Sequence, residues 1–190
     1  MAKLTKKELI FQAAARLFKE YGYQATSMRQ LAKEVGLEAS SLYSHISSKQ
    51  ELLAQICMSE ANKYLNHMNK VMKEEEEIIK ILIKMSHFHI EVAVEDPVSA
   101  TVFSDEWRYL EEPTITEFRS IRKEYESRIL HIIARGVNEN ILVNEDPFIL
   151  FQAFLSSFKW IYIYNKPGRE LDKEQVKKTI TDVIIRGLSK

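Results

Sequence analysis

Glycine and proline are scarce in this chain, at five and four residues among 190. Strands joined by tight turns need more of both, so the 45% of hydrophobic residues must be buried mainly by helices, and the fold class expected is all-α. A single cysteine, Cys57, excludes an intramolecular disulfide framework, and a small buried residue is favoured there over a redox sensor. No uninterrupted apolar run approaches the roughly 20 residues that cross a bilayer. Glu8, Gln12 and Arg16 interrupt the apolar positions near the start, which argues against a secretory leader. A soluble cytoplasmic protein without membrane partners is expected. Net charge is absent too, with 27 basic residues against 27 acidic ones, but its distribution is uneven. Residues 1–50 hold 8 Lys and Arg against 4 Asp and Glu, and the remainder holds 19 against 23. A basic head on a mildly acidic body suits a nucleic-acid binder, because phosphate contacts dominate such affinity.

What is present in the head is a pair of short helical patterns meeting at a glycine. Leu31, Ala32 and Val35 form an apolar stripe before Gly36, and Leu42 and Ile46 form another after Leu37. The turn spans about three residues, so the helices must cross steeply, as in a helix-turn-helix. Ser27 with Gln30 reads as a capping box for the first helix, and Ser48 with Glu51 as one for the helix after the motif. If Leu42 and Ile46 face the core, Ala39, Ser40, Tyr43 and Ser44 face outward, where small residues allow close approach to base edges and Tyr43 and His45 can reach phosphates or thymine methyls.

These residues carry a resemblance. The run AAARLF, then YGYQATS, QLAKEVG and SLYSHISSKQELL, with its Leu42–Tyr43 and Ser48–Lys49 pairs, resembles the N-terminal domain of the TetR family of bacterial repressors over nearly all of the first fifty residues. The resemblance implies that Ser27, Met28 and Arg29 sit at the groove edge, that Ala39, Ser40 and Tyr43 face double-stranded DNA, and that His45 and Lys49 hold phosphates. Glu38 departs from the pattern, standing where the family has Ser or Thr; its carboxylate suits a helix N-terminus but is repelled by phosphates.

Two domains are expected, a helix-turn-helix domain over residues 1–50 and a helical ligand-binding and dimerisation domain over 51–190, with about nine helices in all. Thr5 and Glu8 box a first helix with Leu9, Ala13, Leu17 and Phe18 at helical spacing, ending at Gly22. After Ser48 neither Gly nor Pro occurs before Pro97; one helix of that length is improbable, so a break is placed near Lys73 to Glu77. The next helix, Ile78 to Val94, is expected to bury Ile79, Leu82, Ile83, Phe88, Ile90 and Val94. His87 and His89 point apart on it and cannot share an ion, and none of the five histidines follows a Glu by three residues, so neither a metal nor a cofactor is expected. A helix from Asp96–Pro97 through Leu110, a long helix boxed by Thr114 and Glu117, a left-handed Asn140 and an Asp146–Pro147 restart follow. The segment Phe148 to Tyr164 is apolar on nearly every side and must be covered on both faces, one of them by another subunit. With the stripe Val176, Ile180, Val183, Ile184 and Leu188 it predicts a homodimer built on the last two helices, able to present two heads to a palindromic operator.

The body carries a second resemblance. The pattern DEWRYLEEPTITEFRSIRKEYESRILHIIARGV, then EDP and KWIYIYNKPG, is similar to a TetR subgroup controlling fatty-acid, steroid and aromatic-acid breakdown, whose inducers are acyl-CoA thioesters. It implies an acyl-CoA or related lipophilic acid as inducer, with CoA phosphates met by Arg108, Arg119, Arg122 and Lys166 and the lipophilic part by Trp107, Trp160 and Tyr162. The alternative is that these arginines pair with Glu112, Glu124 or Glu126 at the surface. Two other readings stand beside it: a multidrug-type sensor that ignores CoA, and, more remotely, a helical ligand-binding protein or enzyme without DNA contact. A non-enzymatic, ligand-responsive regulator is the expectation.

Overall fold

The computed structural model describes residues 5–164 and 168–190. Among them are nine α-helices and no strand: α1 Lys6–Tyr21, α2 Met28–Glu34, α3 Ala39–Tyr43, α4 Lys49–Glu74, α5 Ile78–Glu95, α6 Pro97–Asp105, α7 Thr114–Asn138, α8 Pro147–Tyr164 and α9 Lys173–Leu188, with a 3-10 turn at Trp107–Tyr109. The all-helical class follows from the composition. The chain forms two compact units, Met1–Ala61 with Val98–Arg119 and Asn62–Pro97 with Ser120–Lys190. Helices α4 and α7 each contribute residues to both.

In the first unit the helix boundaries are set where the sequence places caps. Thr5 and Glu8 close a full capping box on α1, and Gly22 ends that helix at φ +83°. Ser27 and Gln30 do the same for α2. The start of α4 differs in detail: Ser48 Oγ accepts the Glu51 N–H at 3.0 Å, but the Glu51 carboxylate reaches back one residue further, accepting from Ser47 N at 2.8 Å and Ser47 Oγ at 2.7 Å. These bonds hold the Glu51 carboxyl below its ordinary pKa. The core of this unit gathers Ile10, Phe18, Leu31, Leu42, Leu52 and Phe118, all nearly inaccessible. Leu9, expected in the α1 stripe, is exposed, and Ile10 takes the buried position; with Leu9, Ile10 and Phe11 adjacent, periodicity alone does not fix the phase.

In the second unit α5 packs on α8 and α9, which also touch each other. The break after α4 falls at residues 75–77, where Glu75 Oε1 accepts the N–H groups of Glu76 and Glu77, each at 3.2 Å. The buried face of α5 is Ile78, Ile81, Leu82, Met85, Ile90 and Ala93, so Ile79, Ile83, Phe88 and Val94 are only partly covered and the expected stripe is rotated by about one position. Ser86 lies on that buried face because its hydroxyl donates to Leu82 O at 2.8 Å and needs no other partner. Asn140 takes the left-handed conformation at φ +58°, and Asp146 Oδ1 accepts the Phe148 N–H at 2.8 Å ahead of α8.

Two expectations in the middle of the chain need correction. The helix from Pro97 does not run to Leu110 but stops at Asp105, with the 3-10 turn following Glu106. Thr114 is the first residue of α7, not its cap; the side-chain bond at that end runs instead from Thr116 Oγ1 to Glu112 Oε1, at 2.9 Å.

Candidate nucleic-acid interface and ligand-responsive body

The helix-turn-helix is built by α2 and α3. Gly36 at φ +66° makes the turn between them, a left-handed conformation that costs a side chain about 1 kcal/mol or more. Leu42 and Ile46 are buried against the unit's core, which leaves Ala39, Ser40, Tyr43 and Ser44 exposed along one side, Tyr43 by 54%. Helix α3 is only five residues long, and its last turn is completed by Ile46 N donating to Leu42 O at 3.1 Å and Ser44 Oγ to Ser41 O at 2.7 Å. Glu38 is the N-cap residue, and its side chain makes no cap hydrogen bond. Ser27 and Arg29 are exposed at the start of α2, and Met28 beside them and His45 after α3 are half-buried. The outward set therefore forms a narrow polar ledge with one large aromatic ring, Tyr43.

Lys49, also expected at a phosphate, sits differently. It is half-buried, and its ammonium donates to Thr26 O at 2.7 Å, to Tyr23 O at 2.8 Å and, more loosely, to Gln24 O at 3.4 Å. It also stands 4.3 Å from the centre of the Tyr23 ring. All three N–H donors are thus engaged by the loop that enters α2, and burial lowers the Lys49 pKa. Thr26 is buried in the same loop, its hydroxyl shared between Gly22 O at 2.9 Å and Leu17 O at 3.2 Å. Lys49 thus ties the first turn of α4 to the loop ahead of α2.

A second set of contacts on that loop was not legible in the sequence. Tyr23 N donates to Glu106 Oε2 at 3.0 Å, the Tyr23 ring stacks on Tyr109 with centroids 5.7 Å apart, and Gln50 Nε2 donates to Tyr109 O at 2.6 Å. The segment after α6 is fastened in this way to the loop ahead of α2, within one compact unit. The partners lie 83 residues apart for Tyr23 and Glu106, and no local pattern signals such a pairing.

The ligand-site candidates are not gathered in one unit. Trp107, Arg108 and Arg119 belong to the first: Trp107 stacks on Phe118 with centroids 5.5 Å apart, and both arginines are exposed. Arg122, Trp160 and Tyr162 belong to the second: Arg122 Nε pairs with Glu126 Oε1 at 2.7 Å, Tyr162 is buried, and Trp160 is half-buried with Tyr164 at 6.4 Å between centroids. Lys166 lies outside the described residues. Glu91, the residue that could have joined His87 in holding an ion, is paired with Lys177. Among the described residues no group of three or more His, Cys, Asp or Glu side chains is arranged to hold a metal, and no helix is long and apolar enough to cross a membrane.

The contact of α2 with α3 across the Gly36 turn, the exposed outer face of α3 and the braced loop are the layout of a helix-turn-helix regulator. Residues 10–56 match the family described as bacterial regulatory proteins of the tetR family, and residues 75–188 match the tetracyclin repressor-like C-terminal domain. The chain belongs to the TetR family of transcriptional regulators. It is similar to the HTH-type transcriptional repressor KstR2 of Mycolicibacterium smegmatis, 21% identical over 187 residues that cover 97% of this chain and 91% of the relative. It is also similar to KstR2 of Rhodococcus jostii, 23% identical over 197 residues covering 98% and 93%. Its fold is that of the ketosteroid transcriptional regulator KstR2 of Mycobacterium tuberculosis, with a TM-score of 0.91 at 18% identity, covering 100% of this chain and 97% of the other. AibR, solved in complex with isovaleryl coenzyme A and operator DNA, aligns with a TM-score of 0.80 at 21% identity over 94% of this chain and 97% of its own. The family's regulators bind operator DNA as dimers and are not enzymes.

Proposed function

We propose that this TetR-family regulator is a repressor that occupies a palindromic operator as a homodimer and leaves it on binding an acyl-CoA thioester or related lipophilic acid. In this reading Ala39, Ser40 and Tyr43 read base edges, Ser27, Met28, Arg29 and His45 hold the groove edge and phosphates, and Lys49 acts through the loop it braces. The dimer forms through α8 and α9. What supports this is the outer side of α8, where Ile149 is 63% and Ile163 49% exposed, continued on α9 by Val183 at 65%. A stripe of that kind needs an apolar partner. Two heads must meet half-sites about 35 Å apart, so any shift of the α4 start, through Lys49 and Gln50, or of the Glu106–Tyr109 segment re-aims α3. A coupling of about 1–3 kcal/mol between inducer and DNA is enough for regulation.

The observation that carries the inducer class is the likeness along nearly the whole chain to AibR, whose structure holds isovaleryl coenzyme A, beside the likeness to KstR2 repressors. Among the described candidates Arg108, in the 3-10 turn, and Arg119, in the second turn of α7, are exposed and could meet CoA phosphates; Arg122 would first have to leave Glu126. A second reading, a sensor of lipophilic compounds without CoA, is favoured by the aromatic side chains clustered in the second unit. Fluorescence anisotropy on DNA from the chain's own upstream region, titrated with CoA thioesters and the matching free acids, tests both. Release by thioesters alone is expected, release by free acids would favour the second reading, and release by neither would contradict both.

A further inference from the structure

Between Val35 and His45 the chain carries a single charged side chain, that of Glu38. The outward residues that follow it on α3 have no fixed hydrogen-bonding sense. Ala39 offers a methyl group, and the hydroxyls of Ser40 and Tyr43 can each donate or accept. Such groups do not separate a donor from an acceptor on a base edge. A carboxylate does, because it only accepts.

The ordinary employments of a carboxylate at this position are not taken up. Glu38 is the N-cap residue of α3, yet its side chain makes no cap hydrogen bond. Asp172 shows such a cap formed in the same chain, accepting from Glu174 N at 2.9 Å and from Gln175 N at 3.0 Å ahead of α9. Other carboxylates of the head are engaged as well: Glu34 pairs with Arg16 at 3.7 Å, and Glu51 accepts from Ser47 N at 2.8 Å. Glu38 is exposed, and among the described residues no side chain pairs with it.

A recognition helix enters the major groove with its N-terminal residues against the base edges, which for α3 are Glu38, Ala39 and Ser40. The small side chains at 39 and 40 allow close approach and leave Glu38 the longest side chain at that end. A carboxylate there faces phosphates on both strands, and the repulsion must be offset by a donor on a base. Guanine presents N7 and O6, both acceptors, and thymine presents O4, another acceptor. Adenine has an amino donor, but the acceptor N7 lies beside it. Cytosine presents its N4 amino group with no acceptor next to it on its own edge.

We propose that Glu38 is a specificity-determining residue that accepts a hydrogen bond from a cytosine N4 amino group in each half-site, and that its charge rejects other sequences more than it tightens the right one. A site without that cytosine leaves a negative group unpaired between phosphates, so the wrong sequence is penalised. This deepens the DNA-binding half of the function proposed above and rests on α3 being the recognition helix.

The test is selection of bound duplexes from a random-sequence library by the full-length wild-type protein, Glu38→Gln and Glu38→Ala, followed by anisotropy on the selected duplexes. The wild type is expected to enrich a C·G pair at one position of each half-site and to lose about tenfold in affinity when that pair becomes T·A. An amide both donates and accepts, matching N6 and N7 of adenine, so Glu38→Gln is expected to enrich A·T at the same position. Glu38→Ala is expected to bind the C·G and T·A duplexes within about twofold of each other, and to hold random-sequence DNA more tightly than the wild type. The same base preferences in all three proteins would overturn the proposal and leave DNA binding by α3 standing. A C·G preference lost in Glu38→Ala but kept in Glu38→Gln would also overturn it, by assigning Glu38 to the shape of the helix end. No enrichment by the wild type even at low salt would overturn the DNA-binding function, and this proposal with it.

Discussion

Replacing Lys49 by Met keeps the apolar stem and removes only the ammonium, and so separates two roles for this residue. In the structure the ammonium makes two short hydrogen bonds, at 2.7 and 2.8 Å, a third at 3.4 Å and a contact with the Tyr23 ring. A hydrogen bond to a charged group contributes about 1.5–3 kcal/mol. Lys49 is half-exposed, so solvent screening reduces the sum to about 2 kcal/mol. For a chain of this length that is a fall in Tm of about 4–8 °C. If the loop must be re-ordered on binding DNA at the same cost, operator affinity drops about 30-fold per head. A lysine that neutralised a phosphate directly would instead lower the slope of log K against log salt by about 0.9 per head. Differential scanning fluorimetry together with anisotropy at several salt concentrations reads both. A lowered Tm with an unchanged salt slope is expected; an unchanged Tm with a reduced slope would refute the positional role and return Lys49 to the phosphate backbone.

Gly136 sits in α7 where an added Cβ would lie 2.7 Å from Leu142 Cγ and 3.2 Å from Ile78 Cγ2. Helix propensity favours Ala by about 1 kcal/mol, but Leu142 and Ile78 are buried and cannot swing aside, so Gly136→Ala should lower stability by about 1–2 kcal/mol in urea titration; a stabilised variant would contradict the packing. Stability should also depend on pH through His89. Its folded pKa of about 3 lies below its ordinary 6.5, so the unfolded chain binds the extra proton: the contribution is complete above pH 6.5 and is lost as pH falls towards 3, by up to about 1.4 kcal/mol per unit. Denaturant unfolding at pH 7.5 and 5.5 measures it, and equal stability at the two would sink the buried neutral imidazole. Val183→Lys should convert the dimer to monomer in analytical ultracentrifugation while preserving helical content; an intact dimer would move the interface away from α9.

Much of the architecture could be read from residues close together in sequence. Capping boxes at Thr5 and Ser27, the glycine turn at Gly36 and the left-handed Asn140 are local devices whose chemistry names their conformation, and all four stand as expected. Phase errors arose where apolar residues are crowded: on α1 with Leu9 beside Ile10, and on α5, where buried Ser86 is a polar residue satisfied by its own helix. Short-range patterns also mislead at loops that the rest of the fold shapes, as at Glu106, where the helix yields to a turn. What stayed hidden in the head was long-range: Lys49 on the carbonyls of Tyr23 and Thr26, and Glu106 on the Tyr23 N–H. In the body, the bond of His89 to Tyr125 depends on α7 lying opposite α5, and periodicity does not carry that information.

DNA recognition by this chain turns on the outer face of α3. Anisotropy titration of a duplex from the chain's own upstream region, for the wild-type protein and for Tyr43→Ala, across a range of salt, measures it. Salt-dependent binding by the wild type is expected, with a loss of about tenfold or more in Tyr43→Ala and Tm unchanged because the ring is 54% exposed. Equal affinity of the two proteins would contradict the assignment of α3 as the recognition helix.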